Sequence, residues 1–136
     1  MPPIRTYIVE DSLVIRADLI AALEELAPVE VVGSAEDEST AVQWLKQPGN
    51  SFDLVIVDIF LKTGSGLGVL SASNGLSQRH KMVVLSNYAT PDIRRKCMEL
   101  GADRVFDKSH DIDTLIDYCV QLAASETGNS GPATLS

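Results

Sequence analysis

The sequence predicts a three-layer α/β sandwich: a doubly wound, parallel, five-stranded sheet between two layers of helices. Short apolar runs alternate with longer amphipathic ones five times along the 136 residues. Four of the short runs are nearly unbroken Val, Ile and Leu, as in strands covered on both faces. Five βα units on a chain of this length leave room for one domain with right-handed crossovers.

The first strand is read at Thr6 to Val9, and it runs into an acidic pair, Glu10-Asp11. Ile15, Leu19, Ala22, Leu23 and Leu26 follow as one helical stripe. The second strand, Val29 to Ser34, leads to a helix over Asp37 to Gln47, with Ala41, Val42 and Leu45 apolar and Pro48-Gly49 as its stop. The third strand, Leu54 to Asp58, closes on a carboxylate before a loop with three glycines, and a short helix spans Gly66 to Asn74 with Gly75 as its C′ residue. Met82 to Ser86 is the fourth strand. Thr90-Pro91-Asp92 then offers an N-cap, a first-turn proline and an acid, starting a helix that ends at Leu100 before Gly101. Arg104 to Asp107 is the fifth strand, and Ile112, Leu115, Ile116, Cys119, Leu122 and Ala123 form the last stripe. From Ser125 the chain turns small and polar, which predicts a domain over 1–124 and a disordered tail over 125–136.

A net charge of −8 argues against general affinity for nucleic acid or an anionic membrane surface. Cys97 and Cys119 lack metal-ligand spacing and fall inside helical patterns, so they read as buried thiols. Met1-Pro2-Pro3-Ile4-Arg5 does not read as a signal peptide, and no apolar run reaches membrane-spanning length. Cytoplasm is the expected compartment.

In an open parallel sheet, sites form at the carboxyl ends of strands where the strand order reverses. Glu10, Asp11, Asp58, Ser86 and Lys108 all fall at such ends. Singly, each has a plain reading: a solvated helix entry, a turn serine, a surface lysine. Together, if the first and third strands are neighbours, the three carboxylates converge on one pocket that needs a divalent cation, a cationic side chain, or both. Gly64-Ser65-Gly66-Leu67-Gly68 lacks the Gly-Lys-Ser/Thr of a nucleotide loop, and His80 and His110 read as exposed loop residues.

These residues carry a resemblance. An acidic pair after strand one, an aspartate ending strand three with a glycine eight residues on, a hydroxyl after strand four and a lysine after strand five are the pattern of bacterial response regulator receiver domains. Here they are Glu10-Asp11, Asp58, Gly66, Ser86 and Lys108, with Gly101-Ala102-Asp103 before the last strand, and the likeness covers residues 4 to 124. It implies the flavodoxin-like fold with strand order 2-1-3-4-5, and Asp58 as acceptor of a phosphoryl group from a phosphohistidine. It implies Mg²⁺ held by Asp11, Asp58 and the backbone carbonyl of Phe60, with Glu10 acting through water, and phosphoryl contacts from Ser86 and Lys108. The loop Asn87 to Thr90 would follow Ser86 on phosphorylation, changing the face made by the fourth helix, fifth strand and fifth helix. The implied partners are a sensor histidine kinase or histidine phosphotransfer protein and a downstream protein target. The chain would act as a single-domain switch, monomeric or dimerising on phosphorylation, or else as an intermediate carrier in a phosphorelay.

Four positions depart from the family pattern. Lys62 and Ser109 stand where prolines are usual, and Val105 stands where the switch aromatic is usual. Phe106 comes one residue later, on the opposite strand face by alternation. Coupling of the hydroxyl to an aromatic rotamer would then be absent or rebuilt on Phe106. Asn87 replaces a commonly small residue, and with Phe60 and Tyr88 it would shield Asp58, so the acyl phosphate is expected to hydrolyse slowly. A haloacid-dehalogenase-type phosphatase needs a second aspartate where Phe60 stands. A flavodoxin-like FMN carrier would find its phosphate repelled by Glu10-Asp11.

Overall fold

The structure is a computed structural model and describes residues 3–76 and 80–130, side chains from 126 onward excepted. Ten elements alternate as expected: β1 (Ile4–Val9), α1 (Leu13–Leu26), β2 (Val29–Ala35), α2 (Glu38–Lys46), β3 (Leu54–Val57), α3 (Gly66–Asn74), β4 (Lys81–Ser86), α4 (Pro91–Glu99), β5 (Arg104–Asp107) and α5 (Ile112–Ser130). The strands form one parallel sheet in the order β2-β1-β3-β4-β5. The order reverses between β1 and β3, whose register pairs Val9 with Val57.

Alternation along each strand divides the core in two. Val55 and Val57 join Ala41, Leu45, Val69, Leu70 and Cys97 under α2, α3 and α4. Leu54 and Ile56 join Leu19, Leu23, Leu115, Cys119 and Ala123 under α1 and α5. Both cysteines are fully buried free thiols. All four residues of β3 are buried, whereas the edge strand β2 is closed off only at Val29 and Ala35.

Local signals set the helix ends. Ser12, Asp37, Ser65 and Thr90 each cap a helix by accepting a backbone N–H in its first turn. Gly101 takes φ +105 after α4, a conformation that favours glycine. Gly75 differs from expectation: it is the C-cap residue of α3 at φ −87 and does not take the left-handed conformation.

Two further expectations change. The apolar pattern of α1 predicts that Ile15, Leu19, Ala22, Leu23 and Leu26 all face the core, yet Leu26 is 56% exposed and Ile15 is 37% exposed. Only α1 and α5 cover that side of the sheet, so α1 buries a strip centred on Leu19 and Leu23. Helix α5 also runs on through Ser130, past the boundary drawn at residue 124. The tail expectation for residues 131–136 lies outside the described residues, as do Met1 and Pro2. Among the described residues, no helix is long and apolar enough to cross a membrane.

Candidate functional site

The carboxyl ends of β1 and β3 lie side by side, and the chain turns there into its acidic residues. Glu10 N–H donates to the Ala35 carbonyl at 3.0 Å, and Asp58 N–H donates to the Val9 carbonyl at 2.9 Å. The two side chains are thereby fixed at the top of the sheet, where Glu10 and Asp58 are buried. Asp11 follows Glu10 and is half-buried. Glu10, Asp11 and Asp58 can each offer a carboxylate oxygen within 4.8 Å of the others.

Lys108 reaches this cluster from the far edge of the sheet. Its N–H donates to the Ser86 carbonyl at 2.9 Å. Its Nζ donates to Glu10 Oε1 at 2.6 Å and to Asp58 Oδ2 at 2.9 Å, with all three side chains at most 10% exposed. Burial works to lower the Lys108 pKa, but the hydrogen bonds and charges of Glu10 and Asp58 outweigh it and the net shift is upward. One ammonium thus serves two buried carboxylates, an arrangement that pays its desolvation cost only through such direct contacts. Two carboxylates share that ammonium and a third, Asp11, lies beside them, so the set has the hard oxygen donors and the surplus negative charge that suit a Mg²⁺-type cation.

Backbone N–H groups hold the acids from outside. Glu10 Oε2 accepts from Ser12 N–H at 3.0 Å, Asp58 Oδ1 from Phe60 N–H at 3.2 Å, and Asp11 Oδ2 from Lys62 N–H at 2.7 Å. Gly66 closes the loop tightly, because a Cβ there would stand 2.2 Å from the Asp58 carbonyl oxygen. Ser109 N–H donates to Asp107 Oδ1 at 2.7 Å. Where the family pattern has prolines, both Lys62 and Ser109 therefore use the N–H that proline lacks.

The remaining expected residues lie at the end of β4, on the loops after β3 and β4, and on β5. Ser86 is buried, and its Oγ accepts the Tyr88 N–H at 3.1 Å. Phe60 and Tyr88, both exposed, meet edge to face with centroids 5.2 Å apart. Asn87 is exposed and lines a cleft of about 450 Å³ with Ile15, Leu19, Leu85, Lys108 and Ile112. Phe106 packs against Tyr118 in the α1/α5 core, while Val105 packs on the opposite cluster.

Sequence reading missed several contacts. Glu38 Oε1 accepts the Ser65 N–H at 2.9 Å across 27 residues, tying the β3–α3 loop to α2. Asp107 and Asp111 organise the β5–α5 turn, and Arg94 bridges α4 to the loop before it and to β5. His80 is a correction: it is half-buried, with Nε2 at 2.6 Å from Ser73 Oγ and its ring against Phe52. His110 is exposed as expected, though its Nδ1 lies 3.3 Å from Asp107 Oδ1.

Fold and site together define a class: a doubly wound α/β protein with a carboxylate-rich centre, countered by one lysine, at its topological switch point. The sequence matches the response regulator receiver domain family over residues 6–119, and the chain belongs to that family. It is 32% identical over 102 residues to a protein-glutamate methylesterase/protein-glutamine glutaminase of Azospirillum brasilense, covering 74% of this chain and 25% of that protein. It is 28% identical over 102 residues to the response regulator UvrY of Escherichia coli K12, covering 73% of this chain and 44% of that one. The chain thus spans less than half the length of these curated relatives. Among solved structures, the receiver domain of a NarL response regulator from Mycobacterium tuberculosis superposes with a TM-score of 0.80 at 20% identity, covering 91% of this chain and 98% of that one. The chain is a receiver domain of two-component signalling, with the expected strand order.

Proposed function

We propose that this receiver domain is a phosphorylation-dependent switch whose acceptor is Asp58. The observation that carries the reading is the sharing of Lys108 between Glu10 and Asp58, with Asp11 completing the acidic set. A purely structural ion pair would not need a third carboxylate beside the two that share one ammonium. Asp11, Asp58 and the Phe60 backbone carbonyl would hold Mg²⁺ directly, with Glu10 acting through water. When bound, the ion supplies the charge neutralisation that lets an anionic donor approach carboxylates.

In the transfer, an Asp58 carboxylate oxygen attacks the phosphorus of a phosphohistidine. An O–P bond forms as the P–N bond breaks, and the electron pair leaves with the imidazole, which takes up a proton. Lys108 holds Asp58 in place beforehand and is free to turn to a phosphoryl oxygen afterwards. Ser86 would give its hydroxyl proton to another phosphoryl oxygen. The added charge, about −1.5 to −2, is what biases the output face of α4, β5 and α5.

This reading calls for a sensor histidine kinase or histidine phosphotransfer protein upstream and a protein target downstream, with the chain itself acting in the cytoplasm. The test is incubation with Mg²⁺ and acetyl phosphate followed by intact mass. A single phosphoryl adduct that is lost in Asp58→Asn is the expected result. No adduct on the wild-type chain, or an adduct retained in Asp58→Asn, defeats the assignment. Return of the phosphoryl group to a histidine phosphotransfer protein would instead place the chain as an intermediate relay carrier.

A further inference from the structure

We infer that Arg94 couples the loop after Ser86 to the α4/β5/α5 face in this chain, taking the part that an aromatic side chain on β5 would otherwise play. The inference rests on the phosphoacceptor reading of Asp58. Arg94 lies in the first turn of α4, and its guanidinium spans three other segments. Nε donates to the Ala89 carbonyl of the β4–α4 loop at 2.9 Å, and Nη1 donates to the Val105 carbonyl of β5 at 3.0 Å. Nη2 lies 4.0 Å from Asp111 Oδ2 at the start of α5. The same Asp111 oxygen accepts the Asp107 N–H at 2.8 Å, one residue before Lys108.

The path is continuous from the site outward. Ser86 Oγ holds the Tyr88 N–H, so any displacement of Ser86 towards a phosphoryl group pulls on the residue next to Ala89. The guanidinium is a planar fork of fixed donors, so a shift of the Ala89 carbonyl beyond hydrogen-bond tolerance cannot be followed while the Val105 carbonyl is kept. One of the two bonds must be released. The Arg94 side chain is 44% exposed, so water is at hand to satisfy the freed group.

No side chain of β5 offers the same link. Val105 packs inward on the α2/α3/α4 cluster and carries no polar atom. Phe106 is 2% exposed on the other face of the sheet, against Tyr118 and under the Arg104 guanidinium. What β5 presents to the switch loop is a backbone carbonyl, and Arg94 is bonded to it.

A residue that merely staples the fold would change stability and leave the response to phosphorylation intact. Hydrogen–deuterium exchange with mass spectrometry on the full chain separates the two roles. Segments 86–94 and 104–112 would be followed with and without Mg²⁺ and acetyl phosphate in wild type, Arg94→Gln and Arg94→Lys. Arg94→Lys keeps a cation beside Asp111 and guards against a variant that fails to fold. In wild type both segments should change exchange on phosphorylation. In the variants the adduct should form and segment 86–94 should respond, while the response of 104–112 falls at least about fivefold, the low end of ordinary inter-site coupling. An adduct with an undiminished response of 104–112 in the variants overturns the role of Arg94. No adduct on wild type overturns the phosphoacceptor reading and this inference with it.

Discussion

Lys62 donates its backbone N–H to Asp11 Oδ2 at 2.7 Å, tying the β3–α3 loop to the acid that follows β1. Because the bond comes from the main chain, the lysine side chain is incidental and the absence of proline is what counts. On the proposed reading Asp11 holds Mg²⁺, and loss of a group that orients a metal ligand from outside costs about 10–100-fold in affinity. Lys62→Pro should therefore weaken Mg²⁺ binding by about tenfold, near the lower end of such effects. Lys62→Ala, which retains the N–H, should bind as wild type does. Calorimetric titration of both variants decides it, and equal affinities would sink the argument.

Lys108 is the sole cation that the described structure places on both Glu10 and Asp58. Lys108→Met keeps most of the side-chain volume but leaves two buried carboxylates facing each other. Removing one partner of a buried pair costs about 3–5 kcal/mol, because the other charge remains desolvated. Urea unfolding should show a loss of that size at neutral pH, and Mg²⁺ should recover more stability in the variant than in wild type. Asp58→Asn should cost less, since Lys108 keeps Glu10. A wild-type unfolding midpoint for Lys108→Met would refute the electrostatic account.

The strand-end residues were legible because three constraints act on them together. Buried parallel strands read as apolar blocks, their ends must turn polar, and the family resemblance implies the strand order that makes β1 and β3 neighbours. Glu10, Asp11, Asp58, Ser86 and Lys108 follow from that. Contacts set by side-chain reach across distant segments were not legible. Nothing in the sequence pairs Glu38 with Ser65, or Arg94 with the carbonyls of Ala89 and Val105. The width of the α1 stripe misled because a helical pattern shows which residues are apolar, not how much of the layer exists to cover them. His80 was misread for a related reason: its partners, Ser73 and Phe52, come from other elements.

Two buried groups predict how stability changes in alkali. Burial, with a smaller contribution from Asp37, pushes the Tyr7 hydroxyl from 10.0 up to about 12, and burial alone pushes the Cys119 thiol from 9.0 up to about 12. Both groups hold their protons more tightly in the folded chain than in the unfolded one. Their stabilisation is therefore complete below the unfolded values and is lost as pH rises from about 9 towards 12. Tyr7 Oη is buried without a hydrogen-bond partner among the described residues. Tyr7→Phe should thus raise stability at neutral pH by up to about 1 kcal/mol and flatten the alkaline decline. Urea unfolding across that pH range measures both, and a destabilised variant with an unchanged slope would contradict the prediction.

Phe60 and Tyr88 bear on how long a phosphoryl group would persist on Asp58. Phe60 lies two residues beyond Asp58 and Tyr88 two beyond Ser86, and their rings meet edge to face at 5.2 Å. The pair joins the two loops that follow β3 and β4, so a water that reaches Asp58 between those loops would have to pass it. An edge-to-face pair contributes about 0.5–1.5 kcal/mol beyond its buried area. Loss of that much closure corresponds to a rate change of up to about tenfold. Phe60→Ala and Tyr88→Ala should each shorten the lifetime of the acyl phosphate by up to that factor. If both act through the contact, the double variant should show no further gain. Phosphoryl decay after donor removal, followed by intact mass, measures the lifetimes. Additive effects of the two substitutions would mean that the rings act separately and that the contact between them is no gate.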